Sequence, residues 1–202
     1  MYASLHNHTE YSNLRLIDSI NKIPNIFKRA TELELTGLAI TDHESLSGHI
    51  EAIKEYKKQK PEFQLILGNE IYLIDSLEQT KIEQRPKFYH FILLAKNEEG
   101  YYQLRQLSSQ AWQNHYRTRL AERVPIEKRQ LEEIVSKNPG NIIASTACLA
   151  SEYANLIGDR LELVKLHGKN SDDQSSTRIS KELEINQNKI ITFTNWAKDL
   201  FG

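Results

Sequence analysis

Two histidines with strand spacing lie near the start of the chain, and a third follows the next apolar segment. His6 and His8 come directly after residues 2–5, and His43 follows the apolar run 38–41. Side chains alternate along a strand, so imidazoles two residues apart on extended backbone point the same way. In α/β barrels, functional residues collect at the carboxyl ends of the strands. The spacing therefore predicts that these imidazoles converge on a metal ion.

Three further ligand-type residues, Glu70, His90 and Cys148, lie in or just after other predicted strands. Imidazole nitrogen and carboxylate oxygen suit Zn²⁺, Mn²⁺ or Fe, and a carboxylate can bridge two such ions. Such a cluster lowers the pKa of bound water and holds a phosphate during in-line attack. Each residue alone has an ordinary alternative as a packed core group or a turn cap. Their joint occurrence at five strand ends favours a metal site.

Alternating strands and helices must position these residues. Helical patterns separate the predicted strands, and the polar segment 75–86 is predicted to be a loop. This alternation predicts a mainly parallel sheet or barrel with right-handed crossovers. The predicted strands are 2–5, 38–41, 63–67, 71–74, 88–95 and 141–145. Gly68 is expected to end the strand 63–67 before the strand 71–74 begins.

The last third of the chain is more polar. A helix is predicted to begin within 148–156, and another to cover 190–201. Between them, residues 167–187 are rich in Ser, Asp, Asn and Lys, which predicts a mobile loop, a weak helix or an insertion.

Composition limits the function classes. The 202 residues carry a net charge of -1, so total charge does not argue for nucleic-acid binding. The basic run 116–129 is interpreted as either a solvated face or a phosphate-contacting patch. A single cysteine excludes an internal disulfide and fits a reducing compartment. With no signal peptide and no membrane span in the sequence, a cytoplasmic location without a membrane partner is expected.

Several segments resemble successive motifs of the PHP (polymerase and histidinol phosphatase) domain. The closer resemblance is to the version at the N-terminus of bacterial DNA polymerase III alpha subunits, because LLAKNEEGYYQL is followed by STACL. The similarity runs from residue 1 to about residue 157, and NWAKDLFG also resembles that family. The segments are LHNHTEYSN, LAITDHESLSGH, ILGNEIYL, FYHFILLAKNEEGY and IIASTACLASE.

The resemblance implies a distorted seven-stranded (β/α) barrel that holds a cluster of up to three Zn²⁺ or Mn²⁺ ions. Asp18 matches the acidic position after the first motif, with Glu10 as its weaker competitor. Asp42 is expected either to orient His43 or to support the metal ligands from behind, and so to fix the tautomer of His43. The full set of implied metal ligands is His6, His8, Asp18, His43, Glu70, His90 and Cys148.

One family feature is missing, since the later Asp-x-His motif does not occur before Gly202. Residues 1–202 are therefore expected to be a PHP domain with an incomplete barrel, the N-terminal part of a longer polymerase chain. The family's Mg²⁺-binding polymerase carboxylates lie in another domain.

The resemblance implies a phosphoesterase or 3′→5′ exonuclease site in that polymerase, with DNA and other replisome subunits as partners. Residues 1–202 alone are expected to have weak activity or none. One alternative is an inert structural or subunit-interaction module. Another is a free-standing phosphatase that acts on a small phosphate ester.

Overall fold

A curled, mixed β-sheet forms the centre of the protein. The structure is a computed structural model that describes residues 2–14, 17, 19–82, 86–117, 122–168 and 173–202. The main sheet has the strand order β1-β2-β3-β4-β8, with β7 beside β3, while β5 and β6 form a separate hairpin. The strands are β1 (Ala3–Ser4), β2 (Gly37–Ile40), β3 (Gln64–Ile74), β4 (Tyr89–Ala95), β5 (Tyr116–Arg117), β6 (Glu122–Arg123), β7 (Ile126–Glu127) and β8 (Ile142–Ser145).

The sheet changes direction along β3. Strands β1, β2 and the first part of β3 pair in parallel, whereas β3 with β4 and β4 with β8 pair antiparallel. The prediction of a mainly parallel sheet is therefore wrong for the second half. Parallel neighbours need a long crossover connection, and the described residues between β3 and β4 contain no long helix. The shorter connection allows these two strands to pair antiparallel. The curled α/β architecture agrees with the predicted PHP-type barrel.

The predicted break at Gly68 is also wrong, since β3 runs through it without interruption. A Cβ atom at Gly68 would lie 2.7 Å from the Leu93 carbonyl oxygen and 2.6 Å from Leu94 Cδ2. Glycine is therefore required here for the close approach of β4, not to end the strand.

The helices connect the strands and pack against the sheet. Asn97 caps the helix Glu98–Gln113 by accepting a hydrogen bond from Gly100 N at 2.9 Å, and Ser151 caps the helix Glu152–His167 by accepting one from Ala154 N at 3.2 Å. No helix in the described ranges is long and apolar enough to cross a membrane. The helices are α1 (Ile23–Glu32), α2 (His49–Gln59), α3 (Gln79–Ile82), α4 (Glu98–Gln113), α5 (Lys128–Val135), α6 (Glu152–His167) and α7 (Asp173–Phe201), with a 3₁₀ helix at Glu10–Leu14.

Of the alternatives predicted for 167–187, the structure shows a helix and not a loop from Asp173 onward, where α7 begins. Ile179, Asn186, Ile190 and Phe193 recur at helical spacing and are all buried. Asn186 Nδ2 also donates a hydrogen bond to the Leu156 carbonyl oxygen on α6 at 3.0 Å. Packing of one face thus stabilises a helix whose composition is that of a loop.

The two largest apolar clusters of the described residues pack against the sheet. One lies under α1 and α2 and includes Phe27, Ile40 and Phe63. The larger one joins β3 and β4 to α4, α5 and α7, and includes Leu93 and Phe193. His43, in the segment after β2, lies beside the middle of β3, where it forms a bridge with Glu70.

Candidate metal centre

Four histidines and one glutamate converge at one face of the sheet. His6 and His8 follow β1, and His43 follows β2 and forms a bridge with Glu70 of β3. His90, the second residue of β4, completes the group. The structure thus brings together five of the seven residues predicted to bind metal, which we call the His–Glu cluster.

The backbone around Asn7 directs the first two imidazoles. Asn7 Nδ2 donates to the Ala39 carbonyl oxygen at 3.0 Å, and Asn7 N donates to Thr41 Oγ1 at 2.9 Å. This side chain points towards β2, so its neighbours His6 and His8 point to the opposite side. Their Nε2 atoms lie 2.8 Å apart.

Glu70 is the centre of the cluster. Its Oε2 atom lies 2.8 Å from His8 Nε2, 3.1 Å from His6 Nε2 and 3.3 Å from His43 Nδ1. Its Oε1 atom lies 2.6 Å from His90 Nδ1. Only 1% of the side chain is exposed, so this carboxylate is buried among four imidazoles.

The charge of Glu70 is set by two opposing effects. Burial alone raises the pKa of its carboxyl group, because the charged form loses solvation. Hydrogen bonds from His6, His8 and His90, together with the charge of His43, lower it and prevail. The pKa of Glu70 therefore lies well below its ordinary value, and the group is a carboxylate at neutral pH.

The donor atoms fit metal ions. Ligands about 2.1 Å from one ion are about 3.0–3.4 Å apart in octahedral or tetrahedral geometry, close to the separations of 2.8–3.3 Å between Glu70 Oε2 and its imidazoles. Among the described residues, two groups have ligand atoms within 4.8 Å of one another, namely His6, His8 and Glu70, and His43, Glu70 and His90. Because Glu70 belongs to both, its two oxygens can bridge two ions.

A buried network behind the cluster determines the tautomer of His8. Ser12 Oγ lies 2.8 Å from Asp42 Oδ1 and 3.2 Å from His8 Nδ1. The single hydroxyl proton goes to the Asp42 carboxylate, which can only accept, so we infer that His8 Nδ1–H donates to Ser12. A protonated His8 also donates to Glu70 through its Nε2–H. An incoming metal ion would replace that proton and take the Nε2 lone pair, while Nδ1–H keeps its hydrogen bond to Ser12.

Asp42 lies behind the cluster, where its contacts hold the segments that carry His8 and His43. Its fully buried carboxylate accepts hydrogen bonds from Thr9 N at 2.6 Å, Thr9 Oγ1 at 2.8 Å and Ser12 Oγ. Ser12 Oγ also accepts from the backbone N–H of His43 at 3.1 Å. Asp42 therefore positions the segment after His8 and reaches His43 through that backbone contact.

Tyr72 is a neighbour of the cluster that the sequence reasoning missed. Its ring stacks on the His90 imidazole with centroids 4.4 Å apart, and its hydroxyl lies 3.5 Å from His43 Nδ1. Tyr72 follows Glu70 by two residues on β3 and so lies on the same face. The period of the strand was the signal that could have found it.

Cys148 is the other predicted ligand that the structure describes. Cys148 is exposed, and its Sγ atom lies 3.5 Å from His90 Nδ1, which puts it at the edge of the cluster. Asp18 lies outside the described residues. Its competitor Glu10 begins the 3₁₀ helix and belongs to neither group of ligand atoms found in the described part of the chain.

Comparisons with known proteins point to one family. A model of the PHP domain matches residues 4–192. The chain is 44% identical over 206 residues to the probable DNA polymerase YorL of Bacillus subtilis, covering 98% of this chain and 15% of that protein. It is 35% identical over 190 residues to the DNA polymerase III subunit alpha of Helicobacter pylori, covering 91% of this chain and 14% of that protein.

Both relatives are much longer proteins, of which this chain spans about one seventh. Among solved structures, a protein of Bifidobacterium adolescentis described as a metal-dependent phosphoesterase has 22% identity and a TM-score of 0.36. The superposition covers 56% of this chain and 35% of that one.

Proposed function

This chain belongs to the PHP domain family, and from that premise we propose that its His–Glu cluster binds divalent metal ions and hydrolyses phosphate esters. The observation that carries the proposal is Glu70, a buried carboxylate shared by two groups of ligand atoms. A buried carboxylate among four imidazoles is costly unless cations balance it.

The residues divide into ligands and supports. His6, His8, His43, Glu70 and His90 would hold the ions, and Cys148 and Asp18 are proposed as further ligands. Bound Zn²⁺ or Mn²⁺ would lower the pKa of a water molecule and neutralise charge on the phosphate. Ser12 keeps the His8 lone pair directed into the site, and Asp42 holds Ser12 in place.

We propose that the natural substrate is DNA and the reaction 3′→5′ exonucleolytic hydrolysis within a replicative polymerase. The support is the 44% and 35% identity to DNA polymerases over nearly this whole chain. In the same proposal the domain works in the cytoplasm, beside other replisome subunits.

A second candidate function is that of a structural or subunit-interaction module. Large apolar side chains are exposed on α6 and before it, with Leu161 57%, Val164 51% and Leu149 89% exposed. Apolar surface of this kind is typical of a face that another protein surface covers. A hydrolytic site and an interaction surface can coexist in one domain. Measured metal binding would distinguish a working site from an inert one.

The test is metal content and nuclease activity of the 202-residue chain. We expect Zn²⁺ or Mn²⁺ to bind in calorimetry, and to stimulate shortening of a 5′-labelled single-stranded oligonucleotide. His8→Ala and Glu70→Gln should lose both, whereas Glu55→Gln, a change outside the cluster, should lose neither. Hydrolysis of p-nitrophenyl phosphate without oligonucleotide cleavage would favour a small-ester phosphatase. Absence of metal binding in the unmodified chain would leave only the structural function.

A further inference from the structure

Arg123 lies beside the metal centre and outside its ligand set. Its guanidinium carbon is 5.0 Å from the centroid of the Tyr72 ring, which itself stacks on His90 at 4.4 Å. Both groups contact the Tyr72 ring, so the Arg123 guanidinium lies close to the His90 imidazole. The Arg123 side chain is 18% exposed, so it is largely packed but not sealed from solvent.

Contacts to the loop after β2 hold Arg123 in this position. Its Nη1 atom donates to the Glu122 carbonyl oxygen at 3.1 Å and lies 4.0 Å from Glu44 Oε2. Glu44 directly follows His43, is 4% exposed, and accepts a hydrogen bond from Val124 N through Oε1 at 2.8 Å. The β6 strand is thus tied to the backbone that carries a predicted metal ligand.

We propose that Arg123 binds a phosphate next to the one held at the metal ions, and so selects a polynucleotide over a phosphate monoester. This inference rests on the proposed function. A planar guanidinium has five N–H donors and matches phosphate oxygens in pairs, and the contacts described above engage a single nitrogen, Nη1.

The spacing suits a neighbouring phosphate. Successive phosphates of one DNA strand are separated by at least the ~3.4 Å axial rise per nucleotide. In this proposal a strand bound at the ions extends past the Tyr72 ring, so that a neighbouring phosphate lies beside the Arg123 guanidinium. A monoester has no second phosphate and would gain nothing from this group.

The experiment measures binding of a phosphorothioate oligodeoxynucleotide to the Mn²⁺-loaded 202-residue chain by fluorescence anisotropy. Arg123→Gln is expected to weaken binding about tenfold or more and to reduce the slope of log affinity against log salt by about 1. Arg123→Lys, which keeps the charge without the planar fork, should restore part of the affinity.

Arg105 on α4 provides the matched control. Its guanidinium carbon also lies over tyrosine rings, 5.4 Å from both the Tyr101 and the Tyr102 centroid. Arg105→Gln therefore removes the same group from the same kind of contact and should leave oligonucleotide affinity unchanged.

The outcomes separate this inference from the proposed function. If Mn²⁺ binds in calorimetry but Arg123→Gln and Arg123→Lys both bind the oligonucleotide like the unmodified chain, the role of Arg123 is wrong and the metal site stands. A fall in melting temperature without a change in affinity or salt slope would show that Arg123 only pairs with Glu44. If the unmodified chain binds no Mn²⁺, the proposed function fails, and without oligonucleotide binding this inference fails too.

Discussion

Replacing Glu70 by glutamine is expected to abolish tight binding of both metal ions at once. The substitution keeps the size and shape of the side chain and removes its charge. Glu70 Oε2 lies within 3.3 Å of three imidazoles, and Oε1 lies 2.6 Å from a fourth. No other described residue belongs to both groups of ligand atoms.

The size of the effect follows from this shared position. Loss of a group that merely supports a metal ligand lowers affinity about 10–100-fold. Loss of the charged ligand itself should therefore cost at least about 100-fold for each ion, or about 2.8 kcal/mol. The two losses should appear together, because one carboxylate serves both sets of donors.

Isothermal titration of the metal-free chain with Mn²⁺ and Zn²⁺ measures this directly. Glu55→Gln on α2 is the control, since the same chemical change there removes a carboxylate that contacts Lys58 and Gln59. It should leave both the number of ions and their affinity unchanged. Circular dichroism of both variants checks that the fold is retained.

Two results would refute the reasoning. If Glu70→Gln binds both ions with the affinity of the unmodified chain, the carboxylate is not a ligand. If it loses one ion and binds the other normally, Glu70 does not bridge, and the two groups of donors do not share it.

The remaining predictions concern the supports of the site and of the fold. Gly68→Ala should lower the free energy of unfolding by about 1–3 kcal/mol in urea titration, because its Cβ would overlap β4, whereas Gly158→Ala in the open part of α6 should raise it by about 0.5–1 kcal/mol. Ser12→Ala should weaken metal binding about 10–100-fold in calorimetry, and unchanged affinity would exclude its role in orienting His8. Burial lowers the pKa of His49, so stability should fall below pH 6.5 by up to about 1.4 kcal/mol per pH unit. His49→Gln should flatten that slope, and equal slopes would show that His49 does not cause it.

Much of the site could be predicted from the sequence because its signals are local. The spacing of His6 and His8 and the positions of His43, Glu70 and His90 at predicted strands anticipated the group that the structure brings together. The resemblance to the PHP domain is confirmed by the match over residues 4–192. The roles of these residues as metal ligands, the identity of the ions and the cytoplasmic location stay predictions.

The errors arose where packing outweighs local preference. Gly68 carries the local signal of a break, yet it lies inside β3 because β4 approaches the backbone closely there. The composition of 173–187 is that of a loop, but one face of α7 packs on α6 and on the larger apolar cluster. Neither effect can be read from a window of neighbouring residues.

The sequence by itself determined the family, the imidazole and carboxylate groups of the site, and the strand faces from which they project. These depend on residue type and on the period of the backbone, which are properties of short segments. Only the tertiary structure decided that Glu70 lies between four imidazoles, that Ser12 and Asp42 orient His8, and that Tyr72 and Arg123 lie beside the cluster. Apart from the contact of Ser12 with His8 and the position of Tyr72 two residues after Glu70, these contacts join residues distant along the chain. They therefore exist only once the strands are packed in one sheet.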